Sequence, residues 1–167
     1  MTGLEKLNVL VGEKEFIELE KNDSDGNRIC VSFKMNPASS IEEIERIECS
    51  TGIKLPVDYK QFLKKYNGAR IYDYEGIDGF AILGCDEIEK ANNFARATYE
   101  EDWPTHLLVF AKYIGESNYL AFNTLNQENS IVDCFFEEMP DNWDIIAKDF
   151  DNFLDRLIDS NGRKYWI

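Results

Sequence analysis

Residues 40–68 read SIEEIERIECSTGIKLPVDYKQFLKKYNG, and this stretch encodes two consecutive helices with legible ends. Ser40 stands three residues before Glu43, the spacing of a capping box, in which the two side chains satisfy free N–H groups at a helix start. Ile41, Ile44 and Ile47 then recur at helical spacing among acids. Gly52 suits the left-handed conformation that ends a helix, with Ile53 folding back on the last turn. Pro56 fits the first turn of the next helix, where its missing N–H has no partner to lose. Tyr59, Phe62, Leu63 and Tyr66 fall at i, i+3, i+4 and i+7, which predicts one apolar, partly aromatic face. Asn67-Gly68 closes the second helix.

Working outward, Leu4, Leu7 and Leu10 or Val11 predict a short opening helix. Phe16 to Lys21 fits strand or helix. Residues 22–27 form a turn by composition, and Arg28 to Lys34 alternates as a strand does, a pattern that fits a hairpin across the turn where Phe16 to Lys21 is strand. Downstream of the helix pair, Ala69 to Gly79 is rich in Tyr, Asp and Gly and reads as a long exposed loop. Phe80 to Leu83 is a short buried strand. Asp86 is a candidate cap for a helix reaching about Tyr99, with Ile88, Ala91, Ala95 and Phe94 as inward-facing candidates. Three strands follow, Leu107 to Ala111, Tyr119 to Thr124 and Ile131 to Phe136, separated by polar turns in the manner of an antiparallel meander. Asp149 caps a last helix over Phe150 to Asp159, whose Phe150, Phe153, Leu154, Leu157 and Ile158 form a wide apolar stripe. The segment Tyr165-Trp166-Ile167 is unusually apolar. With no repeat or linker in the chain, the pattern predicts a single α+β domain, a mostly antiparallel sheet with flanking helices.

A chain of 167 residues is long enough to bury about 70% of its unfolded surface without a metal or disulfide. Its 32 acids against 18 basic residues leave a net charge of −14. That sign repels phosphate backbones and anionic membranes and favours basic partners. Simple solubility explains the same charge equally well. Cys30, Cys49, Cys85 and Cys134 form no Cys-x-x-Cys pair, and buried reduced thiols of a cytoplasmic protein are the favoured reading. Neither a signal peptide nor a membrane-length apolar run is visible.

The chain carries little that reads as catalysis. His106 is the one histidine, so any Ser-His-Asp or Cys-His set has to use it, and no Gly-x-Ser-x-Gly elbow accompanies it. No phosphate-binding loop occurs. Asp23-Ser24-Asp25-Gly26-Asn27 lacks the ligands of a calcium loop and reads as a turn. Asp58-Tyr59-Lys60 matches the Asp/Glu-x-Lys of some nucleases, but it lies at a helix start, where an acid is favoured by the helix dipole. Paired carboxylates for glycoside hydrolysis remain open as an alternative, because acids are everywhere. No cofactor or metal is called for. Two stretches combine acids with large contact residues: Tyr72-Asp73-Tyr74-Glu75 with Asp78, and Glu137-Glu138-Met139-Pro140-Asp141. Tyrosines supply contact area and acids select basic partners, so Tyr72, Asp73, Tyr74, Glu75, Asp78, Glu137, Glu138 and Asp141 are the candidate partner-binding residues. A merely solvated loop is the competing reading.

Leu55-Pro56-Val57-Asp58-Tyr59-Lys60, Phe62-Leu63 and Asn67-Gly68 together resemble the signature of the SUKH superfamily, which includes yeast cell-wall synthesis regulators and bacterial toxin-immunity proteins. Gly115, Tyr119 and Phe122-Asn123-Thr124 are similar to the family's glycine-led turn and following strand, although an acid commonly stands at the place of Asn123. The resemblance spans about Ser39 to Ile158. It leaves residues 1–35 as an N-terminal decoration on a family-like core over 39–158. It implies a non-catalytic, cytoplasmic binding protein. The expected role is neutralising a toxin domain, a nuclease above all, by binding it. The alternative is a regulatory scaffold of the cell-wall regulator type.

Overall fold

Thr2 and Ser40 each accept a hydrogen bond from the N–H three residues on, while the carboxylates of Glu5 and Glu43 accept from the cap residues' own N–H groups. These reciprocal caps open helices α1 (Gly3–Val11) and α2 (Ile41–Thr51) in the computed structural model, which describes residues 1–167 apart from the side chain of Asn126. Gly52 ends α2 at φ +69°, as its sequence context predicts. Helix α3 covers Val57–Lys65, with Pro56 as its cap residue, one place earlier than the expected first turn. Helix α4 is Cys85–Tyr99 and α5 is Phe150–Asp159, the latter capped by Asp149, which accepts from Asn152 N–H at 2.7 Å. Asp86 does not cap α4. Gly84 occupies that place, Glu87 accepts its N–H, and Asp86 pairs with Arg46 of α2.

Among the described residues the strands are β1 (Phe16–Asn22), β2 (Arg28–Met35), β3 (Ala69–Tyr74), β4 (Asp78–Ile82), β5 (Leu107–Tyr113), β6 (Tyr119–Asn123), β7 (Ser130–Cys134) and β8 (Ile145–Ala147). They form one sheet in chain order, every neighbouring pair antiparallel. The chain is therefore a single α+β domain. Residues 1–35, expected as a decoration, supply α1, β1 and β2 of this same sheet. Leu7 and Phe33 are fully buried, so the segment is part of the core.

Three sequence expectations fail here. Ala69 to Gly79 is not an exposed loop but most of the β3–β4 hairpin. Tyr72 has φ +52°, and the register between β3 and β4 shifts at that point, so Ile71 and Tyr72 are both buried and the strand's alternation is hidden. Cys30 and Cys49 are exposed, and only Cys85 and Cys134 are buried. Phe94 also points outward, at 58% exposure. Its place inside α4 is taken by Asn92, whose amide donates to Val109 O and accepts from Val109 N–H.

Tyr59 explains why the signature helix is where it is. Its ring is fully buried among Phe62, Phe110, Phe122 and Phe150, and its hydroxyl donates to Leu83 O at 2.6 Å. Each such buried aromatic contributes roughly 1.5–3 kcal/mol of transfer free energy. The Asn67-Gly68 pair has a second task besides ending α3. Asn67 Oδ1 accepts the Cys85 N–H at the start of α4, and a Cβ on Gly68 would stand 2.6 Å from Gly84 N. The two backbones meet there only because both positions are glycine.

The meander sorts its connections. Those following odd-numbered strands, at residues 23–27, 75–77, 114–118 and 135–144, lie at one edge of the sheet. The helical connections α2–α3 and α4 lie at the other. Helix α5 leaves β8 at the helical edge, where the Asp151 N–H donates to Asp58 Oδ2 and the Asp151 carboxylate accepts from Leu4 N–H. It then runs back to deliver residues 160–167 to the turn edge.

Candidate functional site

The turn edge gathers most of the residues singled out in the sequence. Asn161 O accepts from the Lys21 ammonium at 2.8 Å, and Gly162 lies against the Tyr72 ring so closely that a Cβ would meet it at 2.4 Å. Lys164 donates to both carboxylate oxygens of Glu116, at 2.9 and 3.0 Å, and sits 4.1 Å from the Tyr113 ring centroid. The Trp166 indole donates to Asp133. The last residues thus form a strap across the turn edge with a cleft on each side. One cleft, of about 260 Å³, lies between the strap and the turns at 114–118 and 135–144. The other, of about 320 Å³, borders β1, the 23–27 turn and Asp78.

The predicted contact residues divide. Tyr72 is 3% exposed beneath Gly162, so it is withdrawn as a contact residue. Its phenol is pushed up to about 12 by burial. Asp73 is spent on the turn: one oxygen accepts from Arg70 and the other from Gly76 N–H. Tyr74 is half-buried. Glu75 on the 75–77 turn and Asp78 at the start of β4 are exposed, and Glu137, Glu138 and Asp141 are exposed on the β7–β8 connection. These two acidic groups, far apart in sequence, share one edge, where Gly115 packs against Ile77 between them. Exposed Ile77, Phe135, Met139 and Ile145 add apolar surface among the acids.

Sequence reading did not assign Glu116, Asp133, Trp143 or Asp144 to this site. Trp143 holds the acidic connection in shape, its indole donating to Phe135 O at 2.8 Å and Glu138 O at 3.2 Å. Tyr113 donates to Asp133 Oδ1 at 3.1 Å, and burial, then the Asp133 charge, pushes its phenol up. Lys21 is shifted the other way, its ammonium pushed down by burial. The signal that was available is the meander itself: once β7 is followed by a returning strand, residues 135–144 must fall beside residues 114–118.

His106 sits half-buried at the opposite edge, and its carbonyl accepts from the Thr124 N–H and hydroxyl. Asp58 at the start of α3 is tied to backbone N–H groups of Tyr59 and Asp151. Burial, with Asp149 adding to it, raises its carboxyl above the ordinary value against those hydrogen bonds. Among the described residues no cluster of three or more His, Cys, Asp or Glu is placed to hold a metal, and no helix is long and apolar enough to cross a membrane.

Fold and site together define an α+β domain whose helices close one edge of a meander sheet and whose acidic turns stand exposed at the other. The chain belongs to the SMI1/KNR4 family (SUKH-1), whose pattern matches residues 38–156. It is similar to the uncharacterized protein YnaB of Bacillus subtilis, 26% identical over 137 residues, covering 81% of this chain and 87% of that protein. It is also similar to the uncharacterized protein YobM of the same organism, 28% identical and covering 96% of this chain and 86% of that protein.

Proposed function

We propose that this chain is a non-catalytic, cytoplasmic immunity-type protein that neutralises a basic toxin domain, a nuclease above all, by docking its turn edge over the toxin's cleft. The observation that carries this reading is the joining of Glu75, Asp78, Glu137, Glu138 and Asp141 with exposed Ile77, Phe135 and Met139 on one edge of a chain with net charge −14. Apolar side chains ringed by charge are the usual anatomy of a protein contact surface. A nuclease presents cations for phosphate, and an acidic edge draws such a surface in. Electrostatic steering of this kind brings association to about 10⁸–10⁹ M⁻¹s⁻¹ at low salt. The strap, the Trp143 hydrogen bonds and the β-turns hold the edge in one shape before contact, which lowers the ordering cost of binding.

Co-expression with the product of the adjacent open reading frame tests the reading. Toxicity of that product alone, relieved by this chain, is the expected result. A non-toxic neighbour together with stable capture of a housekeeping protein from cells lacking a toxin locus would contradict it and favour a regulatory scaffold.

A further inference from the structure

We infer that the cleft between the 114–118 turn and the 135–144 connection is an anchor pocket for one arginine side chain of the basic partner, an inference that rests on the docking function proposed above. The cleft of about 260 Å³ corresponds to roughly eight or nine water volumes of ~30 Å³ each, room for one long side chain. Aromatic surface from Tyr113, Phe135 and Trp143 lines it, together with the carboxylates of Glu116, Asp133, Glu138 and Asp144. Lys164 is the single cation in the lining, so four carboxylates face one positive charge.

The chain already holds one cation there. Lys164 stacks its ammonium over Tyr113 and pairs with Glu116, so that carboxylate already has its cation. Glu138 and Asp144, also in the lining, are exposed and, among the described residues, neither side chain forms an ion pair or hydrogen bond. An incoming cation therefore meets unspent carboxylates beside an aromatic wall. Arginine suits this better than lysine. Its planar fork engages carboxylates in pairs, it stacks on aromatic faces, and it is more weakly hydrated than an ammonium. The pocket is also held ready: Asn118 Oδ1 accepts the Phe136 N–H at 3.0 Å, tying the acidic connection to the neighbouring turn.

Titration with N-acetyl-arginine amide, followed through the indole N–H resonances of Trp143 and Trp166, tests the pocket. N-acetyl-citrulline amide is the uncharged control. The arginine compound is expected to shift the Trp143 signal saturably. The citrulline compound, and the arginine compound on E138Q/D144N, should bind at least five-fold more weakly. E138Q/D144N changes exposed groups only, and an unaltered unfolding midpoint verifies its fold. Equal shifts from citrulline, or an undiminished response in E138Q/D144N, would overturn the pocket. The same variant separates the pocket from the function. A wild-type chain that binds the partner while its Trp143 signal ignores arginine, with Kd unchanged in E138Q/D144N, sinks the pocket and leaves the docking reading standing on Glu75, Asp78, Glu137 and Asp141. Wild type that binds no basic protein removes both.

Discussion

The indole N–H of Trp166 donates to Asp133 Oδ2 at 2.9 Å, while the Tyr113 hydroxyl occupies the other oxygen of the same carboxylate. One half-buried acid on β7, the strand next to the end of the sheet, thus fastens the closing segment to the sheet and lines the arginine-sized cleft. Replacing Trp166 by Phe keeps most of the packing on Phe80 and Phe153 but deletes the donor. A loss of about 1.5 kcal/mol is expected, the lower end for a charged acceptor because the site is only part-buried. Urea unfolding of W166F, D133N and the double variant reads it: coupling near that value supports the link, and strict additivity rejects it.

The strap depends equally on Gly162. It adopts φ +79°, and a Cβ there would lie 2.4 Å from the Tyr72 ring. Gly162→Ala combines left-handed strain with a clash against a buried side chain, at a cost of about 2–3 kcal/mol. For a chain of this size that lowers the midpoint of thermal unfolding by roughly 5–10 °C. A calorimetric scan showing no shift would mean that the segment does not rest on Tyr72.

Asn92 serves where β4 stops short of the full length of β5. Its amide exchanges two hydrogen bonds with Val109, at 3.0 and 2.8 Å, as a neighbouring strand would. Asn92→Ala leaves both backbone groups buried and unpaired, and a loss of about 2–4 kcal/mol follows. Asn92→Asp is expected to be worse, since a carboxylate cannot donate to Val109 O. Thermal unfolding of the two variants checks the ranking.

Much of this architecture is written in local sequence. The reciprocal cap of Ser40 and Glu43, the Gly52 stop and the full span of α5 all rest on contacts within a few residues, and each stands where its motif puts it. What was illegible depends on distant partners. Tyr72 is buried by Gly162, ninety positions away, and its positive φ erases the alternation that marks a strand. Strand β8 has only three residues, too few to show a period. Asn92 reads as a solvent-facing amide until Val109 lies beside it. The acids of the candidate site were visible, but their sharing of one edge follows from sheet order.

Glu48 gives the pH dependence. Its side chain, 9% exposed, accepts from Lys60 at 2.8 Å, from Lys54 at 3.1 Å and from the Leu55 N–H, joining α2 to α3. Burial pushes its carboxyl up, but the two lysines and the backbone donor outweigh it, and the net shift is downward from 4.5. Below that ordinary value the unfolded chain takes up the proton first, so stability rises with pH through this window. The contribution is whole at neutral pH and is lost as pH falls through the lowered value. Glu48→Gln is therefore expected to cost about 1–2 kcal/mol at pH 7, with the gap to wild type closing as pH falls below the ordinary carboxylate value and through the lowered one. A gap that stays constant with pH would show that the charge of Glu48 is not what matters.

Amide hydrogen exchange on the complex with the adjacent gene's product, compared with the free chain, tests the docking edge most directly. Slowed exchange confined to residues 75–78, 114–118 and 135–144 is the predicted result. Protection centred on α2 and α3, or on the outer face of β1 and β2, with these turns unchanged, would contradict it.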